Sequence, residues 1–308
     1  MFTKLPGARV VDTLAVPFGG KTREVDVYEL GPAGAAVRQL ALESSLFSPL
    51  GDGQVYCDVP GEGPFATDAT KFALFGAAVA TWVRELPDPP DAVHLHDWHA
   101  AFYLLLRNFS PDHVALAEIQ TVFTIHNLAY QGTRPLDHHT SSLAAWFPGL
   151  AYDFSLVRDP HHWDCINPMA LAIRTSDRIS TVSPTYAWEI LRPSDPESGF
   201  IGGEGLETQL ANAARAGRLV GILNGCEYGA PSGRRPGWQR IVSIARAQAE
   251  AWQKRDPENP LHELALQRLD ALPRRRPRNV LVSIGRLVRQ KVSLFLEQLD
   301  DGRSALEH

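Results

Sequence analysis

The chain has 308 residues, 44% hydrophobic and 21% charged, with a net charge of −5 when histidine is neutral. That balance excludes disorder, collagen-like repetition and fibrous structure as descriptions of the whole, and at about 150 residues per domain it predicts two domains. The mild acidity offers no bulk attraction to nucleic acid or to an anionic membrane surface, so neither is expected as a partner.

Met1-Phe2-Thr3-Lys4-Leu5-Pro6 lacks a long apolar run, so no secretory leader is expected. No stretch approaches the roughly 18 apolar residues of a membrane-spanning helix. Cys57, Cys165 and Cys226 lie far apart without a Cys-x-x-Cys pair, which predicts reduced thiols in a cytosolic protein. Residues 9–60 read as short strands joined by Gly/Pro turns, and Val25–Leu30 alternates at period two. Phe18-Gly19-Gly20-Lys21-Thr22 has part of a phosphate-binding loop, but Ala15 stands where the first glycine belongs and a strand follows instead of a helix. A hairpin turn is the expectation there.

Thr70–Val83 is dense in helix formers and ends before the Pro-rich stretch Leu86–Pro90. A repeating unit follows: a strand at Ala92–Leu95, a helix at Trp98–Arg107, a strand at Ile119–Ile125, a helix around Met169–Ile173 and a strand at Arg178–Val182. Ser183-Pro184 then opens a helix with an N-cap serine and a first-turn proline, and Leu219–Leu223 is a further strand. Strands alternating with helices predict an α/β fold, a Rossmann-like parallel sheet with helices on both faces. Such sheets bind ligands beyond the carboxyl ends of their strands, which singles out His96-Asp97, His126-Asn127, Ser183 and Asn224-Gly225.

The composition changes near residue 228, which divides a first domain, 1–228, from a second segment, 229–308. Ala230–Pro236 is turn-rich, Gln239–Lys254 helical, and the basic stretch Arg274–Arg278 leads into a strong strand at Asn279–Ile284. That strand is expected to be the beginning of a second Rossmann-like domain, the rest of which the chain does not contain.

His94, His96 and His99 with Asp97 pose the question of a metal site. His94 and His96 share a strand face, but His99 lies beyond the strand end and no cysteine is near. The favoured reading lines a cleft with Asp97 and His99, without metal. Thr124–Gly132 (TIHNLAYQG) delivers His126 and Asn127 to a strand end, where an imidazole beside an amide suits sugar hydroxyls. Gly199–Gly205 is a glycine-rich loop before a helix at Thr208–Ala216, a weak anion or dinucleotide signal because no strand directly precedes it. Arg286, Arg289 and Lys291 follow the strand at Asn279–Ile284, where cations suit a diphosphate; a solvated basic turn is the other reading.

Taken in order, His94–His99 (HLHDWH), Thr124–Gly132, Thr181–Ala187 (TVSPTYA), Gly205-Leu206, Gly221–Gly225 (GILNG) and Arg286–Lys291 (RLVRQK) resemble the bacterial glycogen synthase and plant starch synthase family. The resemblance covers roughly residues 40–295. It implies the GT-B architecture of two Rossmann-like domains around a cleft. It also implies transfer of glucose from ADP-glucose to the non-reducing end of an α-1,4-glucan such as glycogen, with retention of configuration and with no metal or other cofactor. On the matching positions, His126 would contact the transferred glucose with Asn127 beside it, Arg286 and Lys291 would neutralise the departing diphosphate, and Asp97 would face the acceptor side. Tyr56 would lie near the sugar, and Asn224 would end its strand at the cleft. The family's Lys-x-Gly-Gly-Leu loop has no match ahead of residue 40, Ala170 stands where many members have lysine, and Val292 stands where glycine commonly occurs. The expectation is therefore a chain trimmed at both ends and inactive alone. A non-catalytic glucan-binding module is the alternative, and a sugar-phosphate enzyme of another Rossmann-like family a third reading.

Overall fold

The computed structural model describes residues 7–280, apart from 33, 50–55, 58, 60, 62–64 and 226–235, together with 298 and 301–304. The chain divides into two units, Met1–Cys226 and Glu227–His308.

The first unit begins with a three-stranded antiparallel sheet, β1 (Arg9–Phe18), β2 (Lys21–Leu30) and β3 (Gln39–Glu43). Gly19 and Gly20 join the first two strands with φ of +64° and +69°, a left-handed pair that glycine adopts without steric cost and that matches strand twist. The turn at Gly19-Gly20-Lys21 is thus a hairpin, as the sequence predicts. Leu14, Val16, Phe18, Val25 and Val27 are buried on one face of this ribbon, and Tyr28 and Glu29 of β2 are buried as well.

Helix α1 (Ala66–Glu85) packs against the ribbon. Its small residues Ala69, Ala73, Ala77, Ala78 and Ala80 are buried, letting the backbone come close to its neighbours. At Gly76 a Cβ would lie 2.6 Å from Phe102 Cβ, so only glycine fits that approach. The helix stops because Leu86 precedes Pro87, whose ring forces extended backbone on the residue before it (ψ 132°).

The second sheet is parallel, ordered β4 (Ala92–His96), β5 (Gln120–Ile125), β8 (Arg178–Thr181) and β9 (Leu219–Gly221). Its register pairs His96 with Thr124 and Ile125 with Thr181, so neighbouring strand ends lie together on one edge. The strands are short, and the helices α3 (Phe102–Phe109), α6 (Pro168–Thr175) and α8 (Glu207–Arg215) pack in sequence beside them. Leu95, Phe123, Ile125 and Ile179 of the sheet join Leu104, Leu105, Leu171, Ile173 and Leu210 of those helices in one core. Each fully buried leucine or isoleucine contributes on the order of 1.5–3 kcal/mol through removal of apolar surface from water.

The helix predicted at Trp98–Arg107 is present as α2 (Asp97–Ala100) and α3 (Phe102–Phe109), joined through Ala101, whose backbone stays helical (φ −66°, ψ −23°). Between β5 and β8 lie the short helices α4 (Leu143–Trp146) and α5 (Phe154–Val157) and the two-residue strands β6 (Arg134–Pro135) and β7 (Cys165–Ile166). Helix α7 (Pro184–Glu189) has the predicted cap: the Tyr186 N–H donates to Ser183 Oγ at 3.0 Å. At the amino edge Asp177 ties two strands together, accepting from the Thr121 N–H (2.8 Å), Thr121 Oγ1 (2.7 Å) and Arg107 Nη2 (3.3 Å).

The described part of the second unit is a pair of packed helices, α9 (Trp238–Arg255) and α10 (Pro260–Asp270). Asn259 caps α10 through the Leu261 N–H, and Trp238 Nε1 donates to Pro273 O at 2.9 Å. Arg274, Arg275, Arg276 and Arg278 are exposed, which fits a solvated basic stretch. The predicted strand at Asn279–Ile284 lies outside the described residues from position 281 onward, as do Arg286, Arg289 and Lys291. Among the described residues, no helix is long and apolar enough to cross a membrane.

Candidate active site at the carboxyl edge of the parallel sheet

β4 and β5 end side by side, and this juxtaposition builds the site. Two residues beyond the His96↔Thr124 pair, the chain of β5 reaches His126. His96 Nδ1 and His126 Nε2 share a hydrogen bond of 3.0 Å, and the His96 ring also lies 4.2 Å from that of His94. His94 in turn bonds Thr124 Oγ1 through Nε2 (2.6 Å), and Thr124 bonds Ser180 Oγ (2.6 Å), a polar line running across three strands. These imidazoles bond to one another or to hydroxyls, and among the described residues no group of three or more His, Cys, Asp or Glu side chains is arranged to hold a metal ion.

Asp97 fixes the other side of His126. Its Oδ1 accepts the backbone N–H of His126 at 2.8 Å. Asp97 itself has φ +55°, left-handed backbone that aspartate enters more readily than most residues because its short carboxylate can bond locally. Strained backbone of this kind concentrates at functional positions. Burial pushes the His96 pKa below its ordinary value, reinforced by the neighbouring His94 and His126 and opposed by Asp97. His96 is thereby held neutral, able to donate from one ring nitrogen and accept at the other.

His99, two residues after Asp97, stacks on Trp98 (ring centres 4.4 Å) and meets Phe72 edge-on (4.5 Å). Its Nε2 bonds Tyr56 Oη at 3.2 Å, so Tyr56 and His99 are a pair. Burial also lowers the His99 pKa, with Asp97 and Asp68 opposing. Tyr56 is 64% exposed and is steadied from behind: the Cys57 N–H donates to Asp68 Oδ1 (2.8 Å), and Asp68 is ion-paired with buried Lys71.

The loop after β5 is anchored along its length. Asn127 Oδ1 accepts the Ala129 N–H at 2.7 Å, so the amide oxygen holds its own turn and the Nδ2 donors are what this side chain presents outward. Gln131 Nε2 donates to Leu128 O (3.2 Å) and to Glu204 O (2.9 Å), and its Oε1 accepts from Asn167 Nδ2 (2.7 Å). Asn167 Nδ2 also reaches Asp159 Oδ2 (2.8 Å), while its Oδ1 caps α6 by accepting the Ala170 N–H. At Gly132, with φ +75°, a Cβ would lie 2.3 Å from Trp98 Cε3, so the loop can close against the indole only with glycine there.

The glycine-rich loop Gly199–Gly205 does not present its amides to an anion. The Gly203 N–H donates to Arg192 O (2.8 Å) and the Gly202 N–H to Ser194 Oγ (3.1 Å). A Cβ at Gly202 would lie 2.1 Å from Arg192 O and one at Gly203 2.6 Å from Ile190 O, so these glycines serve backbone packing. The last strand ends at Gly221, not at Leu223 as the sequence predicts, although the Ile222 N–H still donates to Thr181 O (2.8 Å). Asn224 is therefore three residues beyond the strand, exposed, with its N–H on Val182 O at 3.3 Å.

His96, Asp97, His126 and Asn127 are thus brought together, and Tyr56 and His99 form a second cluster beside Asp97. Tyr186 went unnoticed in the sequence: burial, with the Asp97 and Glu204 carboxylates nearby, pushes its phenol up to about 12. The partnership of His96 with His126 was also missed; only the parallel register of β4 and β5 predicts it.

A sequence model of the starch synthase catalytic domain matches residues 4–212. The chain is 38% identical over 167 residues to glycogen synthase of Desulfitobacterium hafniense, covering 54% of this chain and 33% of that protein. It is 32% identical over 240 residues to glycogen synthase 2 of Geobacter sulfurreducens, covering 77% of this chain and 45% of that protein. Among solved structures, the catalytic domain of starch synthase IV from Arabidopsis thaliana, bound to ADP and acarbose, superposes with a TM-score of 0.57 at 23% identity, covering 83% of this chain and 49% of that one. That likeness shows the shared α/β fold. The chain spans between a third and a half of the length of these relatives. With two thirds of its residues under the family model, the chain belongs to the starch synthase catalytic domain family.

Proposed function

We propose that the constellation at the carboxyl edge serves retaining glucosyl transfer from ADP-glucose to the non-reducing end of an α-1,4-glucan. The observation that carries this reading is the fixed imidazole of His126, held at its backbone by Asp97 and at its ring by His96. A sugar hydroxyl asks for a directed donor or acceptor of this kind. The ADP in the Arabidopsis starch synthase IV structure supports an adenosine diphosphate sugar as donor.

In the proposed reaction the C1–oxygen bond to the diphosphate breaks and a new bond forms from C1 to the acceptor's O4. The acceptor's proton passes to the departing phosphate oxygen, so no paired-carboxylate machinery of the glycosidase type is needed. His126 and the Asn127 amide orient the transferred glucose with Tyr56 near it, while Asp97 faces the acceptor and His99 lines the cleft beside it. Arg286 and Lys291 are assigned to the diphosphate, whose charge grows as the bond breaks. Fixed cations there favour the transition state over the ground state, an effect worth on the order of a hundredfold or more in rate per group. Asn224 belongs to the same edge, at its β9 end. We further assign residues 1–228 to the glucan-side domain, residues 229–308 to the start of the nucleotide-sugar domain, and the reaction to the cytosol.

The test is incorporation of labelled glucose from ADP-glucose into glycogen, measured for this chain and for one continued to the length of the Geobacter sulfurreducens relative. Incorporation by the longer chain, reduced about a hundredfold by His126→Ala, is expected. Glycogen binding without any incorporation would make the domain a non-catalytic glucan-binding module instead.

A further inference from the structure

Away from the carboxyl edge, a cavity of about 580 Å³ opens on the helical flank of the first unit, lined among others by Arg158, Arg174 and Arg218, with His161, Glu207 and Asn212. Arg218 immediately precedes β9, at the sheet's amino edge, whereas His126 follows the last residue of β5 at the opposite edge. The two sites are therefore separate.

Two of the arginines are held in place by backbone. Arg218 Nη1 donates to Ile173 O (3.2 Å) and Ser176 O (2.7 Å), and Arg174 Nη1 to Leu156 O (2.9 Å) and Arg158 O (2.7 Å). Each anchor uses one nitrogen of a guanidinium that carries five N–H donors, so further donors remain. Among the described residues, none of the three guanidiniums has a carboxylate within 4.0 Å. Glu207, the carboxylate in the lining, pairs with none of them, and its Oε2 has no hydrogen-bond partner. Nearby Asp159 is already engaged by the His161 and His162 N–H groups at one oxygen and by Asn167 and Thr133 at the other. Burial and the charge of Arg158 together hold Arg174 below the ordinary arginine value, against a weaker opposing pull from Asp159. Three guanidiniums thus face one hollow against the single lining carboxylate of Glu207, a positive excess that favours an anion with several acceptor oxygens. The volume is that of a small-ligand site, and the amide of Asn212 and the hydroxyl of Thr208 add groups suited to a polyol.

We propose that this cavity is a second binding site, for a small phosphorylated sugar of hexose-phosphate size, with the phosphoryl group on Arg158, Arg174 and Arg218. The test is calorimetric titration of the full chain with glucose 6-phosphate, inorganic phosphate and glucose at fixed chloride, together with hydrogen exchange on the wild type at saturation. Saturable binding is expected for glucose 6-phosphate, weaker binding for phosphate and none for glucose, with protection gained at residues 155–161 and 205–218. Arg158→Gln, an exposed position, is expected to weaken binding about tenfold, the loss of one charge-assisted hydrogen bond. His126→Ala is expected to leave it unchanged. Absence of saturable binding by the wild type, binding insensitive to Arg158→Gln, or loss of binding and of protection in His126→Ala would each overturn the proposal.

Discussion

His96 Nδ1 and His126 Nε2 lie 3.0 Å apart, so one imidazole must donate and the other accept. The pair works only while at least one of these two nitrogens is unprotonated. His96 is kept in that state by burial and by its histidine neighbours. It follows that His96→Ala, which frees the His126 ring without touching its backbone, lowers glucosyl transfer about tenfold, as expected for one lost orienting hydrogen bond. The rate of the wild type is expected to fall below pH 6.5, as a second proton sets donor against donor, and that acidic limb is expected to change in His96→Ala. A pH–rate profile identical for both proteins would show that the contact does not orient His126.

Asp97 combines a strained backbone with an acceptor role, and two substitutions separate them. Asparagine tolerates left-handed backbone and keeps an oxygen for the His126 N–H, so Asp97→Asn is expected to unfold within about 1 kcal/mol of wild type. Asp97→Ala loses the acceptor and is penalised at φ +55°, and is expected to cost about 2 kcal/mol. Urea denaturation of both variants measures the difference.

Gly132 closes the His126 loop onto Trp98. A methyl group there meets the indole at 2.3 Å in backbone that already disfavours side chains. Gly132→Ala is expected to destabilise the first unit by about 2 kcal/mol or more and to disturb the tryptophan near-UV signal. An unaltered urea midpoint would mean that the loop yields freely.

Stability is also expected to depend on pH through three histidines. His96, His99 and His113 all have pKa values below 6.5, with burial the leading cause for each. His113 is the most enclosed, at 5% exposure, with Nδ1 bonded to Ser110 Oγ and Nε2 unpartnered. Below pH 6.5 the unfolded chain takes up protons that the folded chain refuses, so the stabilisation present above 6.5 is lost as the pH falls. The urea midpoint is therefore expected to drop between pH 7.5 and 5.5, and His113→Gln is expected to flatten that slope.

Much of this architecture was legible in the sequence, for reasons that are local. The glycine pair of the first hairpin, the proline stop after α1 and the serine cap of α7 depend on backbone rules that act within a few residues. The strand ends carrying His96 and His126 were legible as well, because the alternation of strands and helices puts such ends on one edge. The pairing of the two rings was not, since it depends on the register of β4 against β5, which no local pattern encodes. The glycines of the 199–205 loop invited an anion-binding reading because close backbone packing and anion cradling call for the same residue type. Arg286 and Lys291 lie outside the described residues, and their role rests on the resemblance of their motif.

The most direct measurement is the rate of glucose incorporation from ADP-glucose into glycogen by His126→Ala and wild type, both in the chain continued to the length of the Geobacter sulfurreducens relative. Loss of about a hundredfold in kcat, with His96→Ala falling between the two, is the predicted result. An unchanged kcat in His126→Ala would contradict it.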